Sequence, residues 1–221
     1  MFFMCLNVFK LLFFISLCFV GIRYWMQKKS YVFSADIVEE ITLNHFGKNI
    51  TVAYDDIYDE FLERFPGHVL PVEHRKWIFM NAGGWMGAIH ILHASLTEYL
   101  LFFGTAVNTS GNSGRYWANI SDTILTGSFR QWQEGALGST IFLPGQTVYH
   151  YEWEAAAVEW TAGTWMVEYG RGCIPSTLFF ALADTFTSTL DFVTLFYILR
   201  VYANALIMEA IAVIGDMVSM G

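Results

Sequence analysis

The rhythm of hydrophobic and polar positions changes several times along the chain. Residues 2–22 are almost wholly apolar, with Asn7, Lys10 and Ser16 as the polar exceptions. A run of about 20 such residues matches the hydrocarbon thickness of a bilayer, so a transmembrane helix is expected there. Lys10 can snorkel toward one interface, while Tyr24 and Trp25, followed by Lys28 and Lys29, mark the other. The competing reading is a cleaved signal peptide. Against it, the positive charge comes late and Phe19-Val-Gly21 lacks the small residues a signal peptidase requires. Arg23, Lys28 and Lys29 outnumber Lys10, which narrowly favours a cytosolic domain by the positive-inside rule. Sequons at Asn49, Asn108 and Asn119 make that orientation testable.

Residues 34–65 read as helical, with Ile37, Ile41, Leu43, Phe61 and Phe65 set among Asp36, Glu39, Glu40, Asp55 and Asp56, and Pro66-Gly67 closing the stretch. The acids are read as the solvated face of a packing helix. Across residues 77–103 the first part looks helical and the end strand-like. Gly83 and Gly87 have the spacing that lets backbones approach, read here as close packing inside the domain. His90 and His93 have no third ligand nearby at a metal-binding spacing and read as core histidines.

From Gly104 onward turn residues recur, at Asn108-Thr-Ser-Gly111, Asn112-Ser-Gly114, Gly127-Ser, Gly135, Gly138-Ser, Pro144-Gly145, Ala162-Gly163 and Gly170-Arg-Gly172. Aromatic and β-branched runs between them give an all-β rhythm that suggests a small barrel or sandwich. Alternation puts Thr164, Met166 and Glu168 on one strand face and Trp165, Val167 and Tyr169 on the other, and neither face looks wet. A carboxylate away from water finds a cation or strong donor, or takes up a proton. Glu168 is therefore the first candidate for chemistry, against the plainer alternative of a strand-end pair with Arg171. Ile120, Asp122 and Ile124 likewise share a face, and Asp122 mirrors Glu168 unless it merely caps a turn.

After Pro175, residues 176–186 and 190–220 are apolar, with a break expected at Thr189-Leu-Asp191, and are expected as two helices that cover the barrel mouth and face lipid. Neither reads as a clean span. Arg200, Asn204 and Glu209 argue against a second membrane crossing over residues 192–213. Composition agrees with membrane association: 55% of the residues are hydrophobic and only 14% charged. A net charge of -8 with scattered Lys and Arg argues against nucleic acid and for a cationic ligand. Cys5, Cys18 and Cys173 form no disulfide framework or zinc spacing.

Several segments resemble the family of the sigma-1 receptor and the fungal delta-8 to delta-7 sterol isomerase: Asn-Ala-Gly-Gly-Trp-Met-Gly-Ala (81–88), His-Ala-Ser-Leu-Thr-Glu-Tyr (93–99), Gly-Arg-Tyr-Trp-Ala (114–118), Ile-Ser-Asp-Thr-Ile (120–124) and Trp-Met-Val-Glu-Tyr-Gly-Arg-Gly (165–172). The likeness covers nearly all of residues 77–202 and is closer to the receptor branch. It implies an α+β fold: an N-terminal transmembrane helix (1–27), a helical segment with a cupin-like β-barrel (28–175), and two C-terminal membrane-adjacent helices (176–221). It also implies a homotrimer without a metal or other cofactor.

By the same resemblance Glu168 pairs with a ligand ammonium, Asp122 hydrogen-bonds Glu168, and Tyr99 helps fix it. The apolar walls are then Trp85, Ile89, Leu101, Phe103, Tyr116, Ile120, Val158, Trp160, Leu178 and Tyr202. The implied ligands are hydrophobic amines or sterol-like lipids. The implied role is an intracellular membrane receptor with chaperone-like regulation of ion channels, calcium-release receptors and calcium signalling, with sterol isomerisation as the alternative. The implied location is the endoplasmic reticulum membrane and nuclear envelope, extending to lipid droplets and plasma membrane, as a single-pass protein. Two departures stand out: Tyr151-Glu-Trp153 replaces the usual Gly-Pro after His150, and the N-terminus lacks the arginine pair associated with retention.

Overall fold

The computed structural model describes residues 2–219, with side chains for residues 7–215. It divides into two compact units, residues 1–31 and 32–221. In the first unit the apolar run forms helix α1 (Phe2–Lys28), and its stretch Asn7–Lys28 is long and apolar enough to cross a membrane. Tyr24 and Trp25 are exposed, and the Lys29 ammonium lies 5.6 Å from the centre of the Trp25 ring and 4.6 Å from that of Tyr31.

The second unit is α+β. It runs through helices α2 (Ala35–Asn44) and α3 (Ile50–Arg64), then strands β1 (Ile78–Ala82), β2 (Trp85–Ala94), β3 (Glu98–Thr105), β4 (Thr109–Asn112) and β5 (Ala118–Thr126). Strands β6 (Phe129–Gln133), β7 (Thr140–Phe142), β8 (Thr147–His150), β9 (Ala156–Trp160) and β10 (Thr164–Gly172) follow, and helices α4 (Pro175–Asp184) and α5 (Phe192–Ser219) end the chain. All strand pairings are antiparallel, in a six-stranded sheet ordered β1-β2-β3-β10-β5-β8 and a four-stranded sheet ordered β4-β9-β6-β7. The sheets are not closed on one another, so the expected barrel holds only loosely.

Period-two alternation builds two cores from one sheet. On β3, Leu101 and Phe103 point to one core together with Met166 of β10, Ile124, Phe129 and Trp160. Leu100, Phe102, Val167 and Tyr169 point the other way and pack on Val38, Ile41, Ile57 and Phe61 of α2 and α3. The six-stranded sheet is thus dry on both faces around β10. Buried Glu98 accepts hydrogen bonds from the Val32 and Phe33 amides at 2.9 and 3.2 Å and from the Tyr169 hydroxyl at 3.1 Å.

Several sequence expectations are corrected. Residues 34–65 form two helices because Gly47, at φ +82°, turns the chain and Asn49 caps α3 by accepting from the Thr51 amide. The segment expected to begin as a helix before β3 is instead the β1–β2 hairpin. Gly83 and Gly84, both at positive φ, supply the two-residue turn that a right-twisted hairpin favours. His90 and His93 are core histidines on β2: His90 Nδ1 lies 2.8 Å from the Tyr54 hydroxyl and His93 Nδ1 lies 2.8 Å from the His68 carbonyl oxygen. Thr109–Asn112 and Gly170–Gly172, expected as turns, lie within β4 and β10.

At the C-terminus the break falls where expected, with Leu190 in the left-handed region at φ 51°. Contrary to expectation, α5 over Phe192–Gly215 is long and apolar enough to cross a membrane. Two of its polar side chains turn to the domain, Glu209 meeting His68 Nδ1 at 2.8 Å and Asn204 meeting His74 Nδ1 at 3.3 Å, while Arg200 is exposed. Val193, Phe196, Ile207 and Ile211 remain exposed.

A Cβ on Gly83 would lie 2.5 Å from the Asn112 carbonyl oxygen and 2.7 Å from the Phe180 ring of α4, in a backbone conformation that already favours glycine. Gly83→Ala is expected to destabilise the domain by about 2 kcal/mol. Gly138→Ala, where a Cβ meets open space, should change stability by less than about 0.5 kcal/mol. Thermal melting of both variants checks the difference.

Candidate functional site

Strand β10 lies at the centre of the larger sheet, between β3 and β5. Glu168 is directly opposite Leu101 on β3 and Asp122 on β5. Directly opposed residues of adjacent strands project from the same face with Cβ atoms about 5 Å apart. A register shift between Trp165 and Met166 precedes this pairing and sets the two acids side by side. Both open into a cavity of about 160 Å³ between the sheets and under α4 and α5. All thirteen residues expected at a binding site line it.

Tyr99 reaches the acids because the residue opposite it on β10 is Gly170. A Cβ there would lie 2.2 Å from the Tyr99 ring. With no side chain in the way, the ring crosses the strand and its hydroxyl donates to Glu168 Oε1 at 2.5 Å. Burial, and then the neighbouring charge of Glu168, holds the Tyr99 phenol well above its ordinary value, so it stays a neutral donor. Glu168 itself is pushed up to about 8, first by burial and then by the charge of Asp122, against the opposing pull of the Tyr99 hydrogen bond. Burial and the neighbouring acid thus both favour the protonated form of Glu168. The alternative pairing with Arg171 is not what fixes it.

Asp122 is buried, and its Oδ2 lies 3.1 Å from His150 Nε2. Its other oxygen, Oδ1, is buried without a hydrogen-bond partner. The resemblance implies an Asp122–Glu168 hydrogen bond; the two acids are cross-strand neighbours, but the hydrogen bond of Asp122 goes to His150. Asp122 caps no turn. It stands mid-strand between two flanking strands.

The rest of the cavity is mostly apolar and aromatic, with Ser113, His150 and Thr177 as further polar lining residues. Trp85 stands edge-on to Phe103 and Trp160 at 5.4 and 5.5 Å, and Phe103 and Trp160 are 5.2 Å apart. The wall's polar tips are mostly tied to backbone carbonyls: Trp85 to Asn112 at 3.0 Å, Tyr116 to Ser113 at 2.9 Å and Tyr202 to Ser95 at 3.2 Å. Trp160 Nε1 is buried without a partner. Ile89 on β2, Leu101 on β3, Ile120 on β5, Val158 on β9 and Leu178 on α4 complete the expected lining. Sequence reasoning missed His150, Met80, Phe180 and Ile198, which also line it. For His150 a signal existed, because alternation along Thr147–His150 puts it on the face of Val148, which packs into the core; the strand was too short to be read that way.

No group of three or more His, Cys, Asp or Glu side chains able to hold a metal occurs among the described residues. The site is a dry aromatic chamber with one acid pair at its polar end, set in an α+β domain whose chain also carries two helices long and apolar enough to cross a membrane. The chain belongs to the ERG2 and Sigma1 receptor like protein family, whose model matches residues 9–213. The sigma non-opioid intracellular receptor 1 of Xenopus tropicalis is 58% identical over 188 residues, covering 85% of each chain. Its namesake in Danio rerio is 55% identical over 197 residues, covering 89% of each. The C-8 sterol isomerase erg2 of Aspergillus fumigatus is 39% identical over 181 residues, covering 80% of this chain and 75% of its own. The receptor-like assignment expected from the motifs agrees with these names, the isomerase being the more distant relative.

Solved structures with some likeness include a cupin superfamily protein of Desulfitobacterium hafniense (14% identity, TM-score 0.35, 38% of this chain and 74% of that one). A predicted oxalate decarboxylase of Thermotoga maritima shows 11% identity and a TM-score of 0.40 over 47% of this chain and 98% of that one. Scores this low carry no weight for the chemistry.

Glu168 links the site to pH. Its proton is held in the folded state up to about 8, whereas an ordinary glutamate releases it near 4.5. Between those values the folded state binds more protons than the unfolded one, so stability falls as pH rises through that window. Denaturant unfolding at several pH values should show this decline in the wild type and a flatter dependence in Glu168→Gln.

Proposed function

We propose that this protein is a ligand-binding membrane receptor that takes hydrophobic cationic amines, and sterol-like lipids of similar shape, through its buried acid pair. The observation that carries the reading is Glu168 opposite Asp122 at the one polar end of an otherwise apolar cavity. Two carboxyls in low dielectric cannot both ionise cheaply, so the pair holds one proton and offers one negative charge. A protonated amine meets that charge, and the aromatic walls supply the apolar contact area. The cavity is comparable to the ~150 Å³ apolar void that admits a benzene-sized guest. A two-armed amine therefore needs further room, which side chains of α4 and α5 that line the cavity can yield.

The receptor names of the Xenopus and Danio relatives support this role. Residence in the endoplasmic reticulum and nuclear membranes, assembly as a homotrimer, and chaperone-like regulation of channels and calcium signalling rest on the family resemblance alone. A sterol isomerase is the second reading, favoured by the Aspergillus relative and by the proton that Glu168 keeps near neutral pH. In that chemistry the protonated acid would add its proton to a ring alkene and the ionised acid would remove one from the adjacent carbon, with a carbocation between.

One pair of assays separates the readings. Glu168→Gln, which removes one carboxyl of the pair and with it the shared proton, should weaken binding of a hydrophobic tertiary amine by about tenfold or more, the scale of a lost charge-assisted hydrogen bond. Wild-type protein should leave a delta-8 sterol unchanged. Unaltered amine affinity in the variant contradicts the receptor reading, and turnover abolished by Glu168→Gln establishes the isomerase instead.

A further inference from the structure

Helix α5 packs along β1 and β2 and turns Leu195, Val201 and Ala205 into the domain, while Val193, Phe196, Ile207 and Ile211 face outward. Within that outward apolar stretch stands exposed Arg200. One turn before it, Tyr197 carries a second cation: the ammonium of exposed Lys76, from the segment leading into β1, lies 3.1 Å from the centre of the Tyr197 ring. Residues three apart on a helix are surface neighbours, so Lys76 and Arg200 meet on one patch of α5. Exposed Trp77 follows Lys76 and stands edge-on to Trp165 at 5.0 Å.

What sets these two cations apart is the lack of a carboxylate. Elsewhere in the domain Lys48 pairs with Asp56 at 2.6 Å, Arg64 with Glu40 at 3.0 Å, Arg115 with Glu134 at 2.6 Å and Arg130 with Glu159 at 3.0 Å. Arg75 meets Asp55, and Arg171 is also engaged. Among the described residues no carboxylate pairs with Lys76 or Arg200, although the chain has 20 acids to 12 Lys and Arg. The described acids of α4, α5 and the link between them are committed to the protein. Asp184 accepts from the Gly84 amide at 2.9 Å, Asp191 from the Thr194 amide and hydroxyl at 3.0 and 2.6 Å, and Glu209 is turned to His68. Neighbouring like charges on a helix repel, and a tyrosine ring attracts a cation without neutralising it. An unpaired guanidinium is costly in hydrocarbon, so this side of α5 belongs at the depth of lipid headgroups, where Trp is also favoured.

We propose that Lys76 and Arg200 form a binding site for the anionic headgroup of a membrane phospholipid. The guanidinium fork of Arg200 takes phosphate oxygens, Lys76 adds a point charge from its seat on Tyr197, and the acyl chains lie against the outward apolar side chains of α5. The site favours acidic phospholipids over zwitterionic ones, because both carry a phosphate but only the acidic headgroup leaves that charge uncompensated. Neither side chain lines the cavity, so the inference goes beyond amine binding and does not depend on it.

The test uses the full chain in neutral detergent, titrated with phosphatidylglycerol or phosphatidylcholine of matched acyl chains, with bound lipid read by native mass spectrometry. Wild type should prefer phosphatidylglycerol. Lys76→Gln and Arg200→Gln should each cut that preference about fivefold, the scale of one basic group at an anionic surface. Arg64→Gln makes the same change in net charge at a position already paired with Glu40, and should leave the preference unchanged. Equal wild-type affinity for the two lipids, a preference undiminished in the Lys76→Gln, Arg200→Gln double variant, or an equal fall in Arg64→Gln overturns the proposal. Inorganic phosphate at the concentration of the lipid should leave the lipid bound; displacement would assign the site to a free anion and overturn the lipid reading. Should the double variant not fold, wild type in about 1 M salt decides, because the screening length there is only ~3 Å. Loss of the preference supports the site, and a preference that persists overturns it.

Discussion

Two carboxyl groups held opposite one another on adjacent strands, inside a chamber of aromatic rings, set the terms for the rest of the molecule. An ionised carboxylate moved from water into such surroundings without a partner is penalised by several kcal/mol, and a second one beside it is penalised more. The pair persists because it keeps a proton and because polar side chains meet it from both flanks, the Tyr99 hydroxyl donating to Glu168 on one side and the His150 imidazole hydrogen-bonded to Asp122 on the other. Those contacts need specific backbone features. Tyr99 can cross the strand only where Gly170 leaves space, and His150 can reach Asp122 only because β8 is hydrogen-bonded to β5 in the register that puts Val148 opposite the acid.

The sheet around this pair is made rigid from its other face. Val167 and Tyr169 alternate with Met166 and Glu168, so the strand that carries the glutamate is packed on α2 and α3 behind while it faces the cavity in front. Close packing on both faces fixes side-chain positions to fractions of an ångström, which a charge site in low dielectric requires. The C-terminal helices close the cavity with residues such as Leu178 and Tyr202, while α5 directs Glu209 and Asn204 to His68 and His74 and leaves Arg200 and apolar side chains such as Val193 and Ile207 outward. The outward side chains of α5 thus give the domain an apolar face of the kind that lies against lipid.

Much of this was legible in the sequence, for reasons particular to each segment. One acid in an apolar strand is a strong signal, because burial leaves so few ways to satisfy it, and Glu168 and Asp122 were both found that way. The wall residues followed from family motifs rather than from physics, since an aromatic on an inner strand face looks the same whether it lines a cavity or fills a core. The β1–β2 hairpin was misread because Met86, Ala88, Ile89, His90 and Leu92 are compatible with a helix, and the paired turn glycines at 83 and 84 were the better clue. His150 stayed hidden because a single polar residue on a short strand carries little periodicity. The length of α5 was underestimated because Arg200, Asn204 and Glu209 were read as interruptions, whereas Asn204 and Glu209 are contacts on its domain-facing side.

The shared proton can be observed directly by infrared difference spectroscopy of the carboxyl region, comparing wild type with Glu168→Gln at neutral pH without ligand. A protonated-carboxyl band present in the wild type and lost in the variant is the predicted result. If the comparison shows only ionised carboxylate at that position, the acids do not share a proton, and the cavity would have to attract its guests by some other means.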